Sequence, residues 1–162
     1  MTNILVSIAI LACYTLVMIR HIGKVPDSLS ASVFWLSDAW KWVWCVVLFA
    51  VCFLSVPVYL EKVSENTQFL AFLAIAGLAF VGGAPLVRRK DNNMQFQVHQ
   101  WGAIVCAFCS QLVLVFNFPW LLLCWTPWMA AFVWITKDHP WRTMVFWGEM
   151  VCFASTFAYC LI

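Results

Sequence analysis

Ala39–Leu60 reads AWKWVWCVVLFAVCFLSVPVYL and contains a single charged residue, Lys41, in its 22 positions. An α-helix rises 1.5 Å per residue, so about 20 apolar residues are needed to cross a hydrocarbon core of about 30 Å. The stretch therefore has both the length and the composition of a membrane-spanning helix.

Five other stretches have a similar character, and they lie at positions 4–20, 67–87, 98–116, 118–136 and 143–161. Hydrophobic residues make up 65% of the chain and charged residues 10%, a balance that a soluble chain this short cannot bury. The sequence predicts an all-α, multi-pass protein of the cell membrane (the inner membrane in a bacterium), with one domain of six transmembrane helices. No basic region precedes the first stretch, so we expect a retained helix rather than a cleaved signal.

The basic residues are distributed unevenly between the two sides of this arrangement. Only Lys62 falls on one side, whereas the first, third and fifth connections carry the other eight: Arg20, Lys24, Lys41, Arg88, Arg89, Lys90, Lys137 and Arg142. Short cytoplasmic connections are enriched in Lys and Arg. We therefore predict that both termini are non-cytoplasmic.

The first connection is the only long one, and residues 26–38 within it have a helical pattern. A short helix capped by Asp27 or Ser28 would place Leu29, Val33 and Leu36 on one face. We expect this stretch to lie in the membrane interface or to re-enter the bundle.

The third stretch is rich in alanine and glycine, which allow helices to approach closely in lipid. We expect it to be buried, with Gly77 and Gly83 at helix–helix contacts. The run Gly82–Pro85 leaves two alternatives open, a packed helix with a frayed end or a broken helix that contributes to a binding site.

Polar residues gather at the predicted cytoplasmic face, and Glu149 is the most informative of them. It lies about two turns into the last stretch, where an isolated carboxylate costs about 2–3 kcal/mol, so it should be paired, protonated or in contact with water. We expect it to point into the bundle near Arg88, Arg89, His99 or Arg142. The candidate ligand-binding residues are Ser28, Ser30, Asp38, Arg88, Arg89, His99 and Glu149.

Most of these residues also have a structural explanation. Asp38 at a helix start suits the helix dipole, and Arg88 and Arg89 belong to a charge cluster that sets topology. In the opposite half of the membrane we expect helix–helix hydrogen bonds rather than ligand contacts from the polar residues Ser55, Ser110, Gln111 and Ser155.

All eight cysteines fall within predicted spans, and the pair Cys106 and Cys109 has CxxC spacing. Membrane thiol oxidoreductases need a second, loop-borne pair, which this chain does not contain. The three histidines are scattered and form no HxxxH pair, and zinc sites need rigidly held ligands. We expect the cysteines to act as small hydrophobic residues, with no disulfide, no metal and no cofactor.

Three short motifs carry a resemblance to other proteins: Pro26–Ser30 followed by aromatic residues, Phe80–Pro85, and Val98–Ala103. In this combination the chain resembles small polytopic membrane proteins of gut bacteria and their phages. That group has no assigned function, so the resemblance implies a shared fold and nothing about chemistry.

Two function classes follow from these observations. The first is a binding or transport module that holds a lipid headgroup or a small anionic ligand in a polar cytoplasmic vestibule. The second is a small membrane enzyme that acts on a lipid or isoprenoid, with His99, Asp38 and Glu149 as acid–base groups. The expected partner is the lipid bilayer, and the sequence leaves open whether the protein forms homo-oligomers. It has no basic face with interleaved aromatic residues, which argues against nucleic-acid binding.

Overall fold

The computed structural model describes residues 1–83, 93–135 and 142–162, without the side chains of 93–96, 133–135 and 142. Within these ranges the chain is helical and forms no strand. The α-helices are α1 (Thr2–Ile22), α2 (Trp42–Lys62), α3 (Gln68–Gly82), α4 (Asn93–Asn117), α5 (Trp125–Ile135) and α6 (Arg142–Leu161). Short 3-10 helices cover Ser30–Trp35, Asp38–Trp40, Glu65–Thr67 and Pro119–Cys124.

Five helical segments of the described chain are long and apolar enough to cross a membrane: Thr2–Ile22, Asp38–Lys62, Glu65–Gly82, Gln97–Asn117 and Thr143–Leu161. The prediction of an all-α protein compatible with a membrane is confirmed at this level. Six crossings and the orientation of the termini stay predictions.

The fifth predicted stretch is divided into a 3-10 helix and the 11-residue α5. Pro127 lies in the first turn of α5 and has no N–H to donate to the carbonyl of Leu123, four residues earlier. The hydroxyl of Thr126 donates to that carbonyl at 2.7 Å instead. The Leu123 carbonyl therefore has a hydrogen-bond donor although the α-helical hydrogen bond from residue 127 is absent. Regular α-helix begins at Trp125.

The helices alternate in direction between two ends of the bundle. At one end, which we call the 27–32 end, the N–H of Phe146 in α6 donates to the carbonyl of Asp27. At the other, the Asn117 end, the Tyr159 hydroxyl donates to the carbonyl of Lys62 at 3.0 Å. Thus α6 starts beside the connection after α1 and finishes beside the last turn of α2.

The segment between α4 and α6 runs from the Asn117 end toward the 27–32 end. The indole N–H of Trp125 donates to Gln111 Oε1 at 2.8 Å, about two turns before α4 ends. The indole N–H of Trp128 donates to the carbonyl of Met144, near the start of α6, at 3.1 Å. Residues 118–135 therefore return along the bundle, although α5 alone is too short to span a bilayer.

Helices α3 and α4 form the most extensive contact of the bundle. A Cβ built on Gly77 would lie 2.5 Å from the carbonyl oxygen of Gly102 and 2.7 Å from the backbone nitrogen of Cys106. Only glycine permits this approach, so the expectation for Gly77 is confirmed. At Gly83, which borders the undescribed residues 84–92, an added Cβ would meet the Phe80 carbonyl at 3.5 Å, so the expectation for Gly83 stays a prediction.

Hydrogen bonds between helices supplement this packing. Ser55 of α2 donates to Ser7 of α1 at 3.2 Å, and Ser155 of α6 donates to Gln111 of α4 at 3.3 Å. Ser110 lies 3.3 Å from the sulfur of Cys152. The predicted structural role of these polar residues is thereby confirmed.

Candidate functional site

The connection after α1 folds back onto the 27–32 end of the bundle. Leu29, Ser32 and Val33 are almost completely buried, with exposures of 2%, 0% and 0%. The Ser32 hydroxyl lies 2.8 Å from the hydroxyl of Tyr14 and also donates to the carbonyl of Leu29. These contacts fix the connection against α1, so that it covers this end of the bundle.

Glu149 joins the same connection to α6. Its Oε2 atom accepts a hydrogen bond from the N–H of Leu29 at 2.5 Å. The carboxylate therefore points into the bundle, as expected, and its hydrogen-bond partner among the described residues is this backbone amide. Of the expected partners, Arg88, Arg89 and the side chain of Arg142 lie outside the described residues. A bond between a carboxylate and a backbone N–H is stronger than one between neutral groups.

Two serines and a histidine complete the cluster. Ser28 Oγ accepts from the N–H of Ala31, in the first turn of the 3-10 helix, at 3.0 Å, and it lies 3.2 Å from Ser30 Oγ. Ser30 Oγ in turn lies 3.2 Å from His99 Nε2 of α4. Four of the predicted site residues, Ser28, Ser30, His99 and Glu149, thus contact residues 27–32 or belong to them.

The other predicted site residues do not join this cluster in the described chain. Asp38 is 87% exposed and pairs with Lys41 at 2.5 Å, one helical turn away, so it does not point into a vestibule. Arg88 and Arg89 lie outside the described residues, as does the side chain of Arg142. The acid–base set proposed for an enzyme, His99, Asp38 and Glu149, is therefore not brought together.

A cavity of about 110 Å³ lies among α2, α3, α4 and α6, and its lining is almost entirely apolar. Glu149 lines it nearest the 27–32 end, and Cys160 lines it toward the Asn117 end. These two residues are 11 positions apart on one helix, or roughly 16 Å. The cavity is therefore elongated along α6, and we call it the slot.

The slot is also open toward the outside of the bundle. Ala107 lines it and is exposed at the surface of α4, about midway along that helix. Among the described residues, the slot is therefore open at the side of the bundle, beside Ala107.

One lining residue that the sequence did not single out is Tyr59, whose hydroxyl is fully buried. Three other hydroxyls of the lining are satisfied: Ser55 donates to Ser7, Ser110 to the Ala107 carbonyl, and Thr156 to the Cys152 carbonyl. The Tyr59 side chain is 3% exposed, and its hydroxyl has no hydrogen-bond partner among the described residues. A tyrosine near the end of a predicted span is typical of an interfacial anchor, so the sequence did not indicate a buried hydroxyl.

The cysteines and the possible metal ligands can be placed in the described part of the chain. All eight cysteines are free thiols, and four of them, Cys52, Cys106, Cys152 and Cys160, line the slot. No group of three His, Cys, Asp or Glu side chains suitable for a metal occurs within residues 1–83, 93–135 and 142–162. Comparison with known proteins gives no family model, curated protein or solved structure that matches the chain.

Proposed function

We propose that this protein is a multi-pass membrane protein that binds a single hydrocarbon chain of a lipid or a similar small amphiphile. The observation that carries the proposal is the slot among α2, α3, α4 and α6. Its volume of about 110 Å³ is smaller than the roughly 300–1,000 Å³ of pockets for drug-sized molecules. The slot is apolar and runs roughly 16 Å along α6, a shape that suits one extended hydrocarbon chain better than a bulky ring system.

The lateral opening supports entry of the chain directly from the bilayer. Ala107 lies at the exposed side of the slot, so a chain can pass from lipid to slot without crossing water. At the 27–32 end, the connection held by Glu149 and His99 closes the bundle. Binding needs only the slot, whereas a carrier activity would also require the contact between Leu29 and Glu149 to open.

Photolabelling tests the binding proposal. The probe is a twelve-carbon alkane with a diazirine in mid-chain, added to the purified protein in lipid nanodiscs. Mass spectrometry should map most labelling to residues that line the slot. Ala107→Phe should lower this labelling roughly tenfold by blocking the opening, whereas Ala154→Phe, on an exposed position of α6, should leave it unchanged. Uniform labelling of all lipid-facing surfaces would refute the proposal.

The orientation is part of the same proposal: six crossings with both termini non-cytoplasmic. The charge bias supports it, and so does the return of residues 118–135 along the bundle. A membrane-impermeant maleimide added to intact cells should label Ser64→Cys from outside and should label Asn92→Cys only after lysis. Labelling of the Ser64→Cys protein only from the cytoplasmic side would reverse the topology.

A further inference from the structure

One side of α6 lines the slot, and Glu149 is the first residue on that side. The others are Cys152, Phe153, Thr156, Phe157 and Cys160. They follow Glu149 at the spacing of residues that share one face of an α-helix. The carboxylate therefore lies on the same side of α6 as the apolar lining, at the end of the slot nearest residues 27–32.

One oxygen of this carboxylate is bonded and the other is free to bind. Oε2 accepts from the N–H of Leu29, whereas Oε1 has no hydrogen-bond partner among the described residues. Two side-chain atoms of the described chain are fully buried without a partner, the Tyr59 hydroxyl and His99 Nδ1. Glu149 Oε1 is not one of them, so it keeps accessible surface. A polar group at this end of the slot can therefore reach it.

The charge of Glu149 is not balanced by a cation of the described chain. Within the described ranges, the ion pair is the one between Lys41 and Asp38, which is an exposed contact in the first connection. The N–H of Leu29 bonds the carboxylate without neutralising it. A carboxylate inside a membrane is costly unless it is paired or in contact with water. The chemical complement of this end of the slot is therefore a cation that can donate a hydrogen bond.

We infer that Glu149 is a ligand-binding residue whose Oε1 accepts a hydrogen bond from the ammonium group of a single-chain amine held in the slot. The inference rests on the proposed function, since it names the ligand class for the same slot. The hydrocarbon chain would run from Glu149 along α6 toward Cys160. Long-chain amines and amino alcohols share this chemistry, whereas a fatty acid would bring a second negative charge to the carboxylate.

Three diazirine probes of equal chain length test the ligand class: an alkylamine, an alkane and a fatty acid. They are added to the protein in phosphatidylcholine nanodiscs, whose lipids carry no net charge, and their amounts are measured as mole fractions in the lipid. Half-maximal labelling of the slot should need roughly tenfold less amine than alkane, because a hydrogen bond between two charged groups is stronger than one between neutral groups. The fatty acid should label the slot no better than the alkane.

Two variants separate the charge of Glu149 from its structural role. Glu149→Gln keeps an oxygen that can accept from Leu29 but removes the charge, so the preference for the amine should fall to at most about twofold while the alkane labels as before. Glu65→Gln is the matched control. It removes the charge of an exposed carboxylate at the Asn117 end and should keep the full preference.

Each result has a defined interpretation. A preference for the amine that is absent from the wild-type protein, or that persists in Glu149→Gln, overturns the role of Glu149 even though the slot binds a chain. Stronger labelling by the fatty acid than by the alkane also overturns it, because the end of the slot would then attract an anion. Failure of all three probes to label the slot in the wild-type protein instead refutes the proposed function.

Discussion

The two sides of α4 are packed in opposite ways. Toward α3, Gly77 and Gly102 bring the two backbones into direct contact, with no space for even one added carbon. Toward α2 and α6, Ala103 and Ala107 line a slot. Small side chains are present on both sides, so their presence alone does not determine packing. Close contact needs glycines that face each other, whereas the alanines of α4 line a cavity together with Phe153 and Phe157 of α6.

The strongest test of this comparison is Gly77→Leu. The leucine side chain would meet the backbone of α4, which cannot move aside as a flexible side chain can. We therefore expect the free energy of unfolding to fall by at least about 3 kcal/mol, so that the variant fails to fold. Thermal unfolding and gel filtration in detergent measure this. Gly83→Leu is the control. Among the described residues, a Cβ at this position would make one ordinary contact, with the Phe80 carbonyl. Equal stability of the two variants would contradict the packing described for α3.

Glu149→Ala tests the closed end of the slot. The substitution leaves the Leu29 N–H without its acceptor. The free energy of unfolding should therefore fall by about 1–3 kcal/mol, and the amides of residues 27–32 should exchange hydrogen faster. Glu149→Gln keeps an oxygen acceptor and should retain most of the protection. Glu65→Ala, an exposed carboxylate at the other end, should change neither quantity. Unchanged exchange in Glu149→Ala would show that the connection does not depend on this bond.

Gln111→Leu tests how far hydrogen bonds stabilise the looser side of α4. Gln111 accepts from Trp125 and from Ser155, so the change removes bonds to two neighbouring segments. Hydrogen bonds between membrane helices contribute about 0.6–1.7 kcal/mol, and we expect a loss in that range. Thermal unfolding measures it, with the exposed Gln100→Leu as control. If the free energy of unfolding falls no more than in the Gln100→Leu control, packing alone holds α4 against α6 and residues 118–135.

Ala103→Val should change the free energy of unfolding least, and whether the change is a loss or a gain is informative. The added methyl groups enter the slot, so the free energy of unfolding should stay within about 0.5 kcal/mol of wild type or rise slightly. At the neighbouring position, the Cβ of Gly102→Ala would lie 2.8 Å from Phe80 Cβ, and this variant should be clearly destabilised. Similar losses for both variants would mean that the two sides of α4 are packed alike.

Much of the fold follows from the sequence because a bilayer imposes a minimum length on each apolar stretch. That requirement predicted α1, α2, α4 and α6 closely, and the alanine and glycine content predicted the close contact of α3 with α4. The expected burial of the whole of α3 is wrong, because its side chains Phe69, Phe72 and Phe80 are exposed. The break before α5 was missed because it depends on one absent N–H, at Pro127, and on a hydroxyl beside it.

The site was less predictable than the fold, because it depends on contacts between residues far apart in the chain. The depth of Glu149 indicated that it would have a partner, but a backbone amide has no signature in the sequence. Tyr59 was missed for a related reason. Its burial depends on α3, α4 and α6 together, whereas its position in the sequence suggested an interface.

The bond between Leu29 and Glu149 joins residues 120 positions apart, near the two ends of the chain. Membrane helices are inserted as they leave the ribosome, so the first connection is made long before its partner helix exists. During synthesis the Leu29 amide must therefore rely on water or headgroups at the membrane surface. Assembly of the bundle would end with the arrival of α6, and a chain that stops before Glu149 would leave the first loop held by its contacts with α1 and α4 alone.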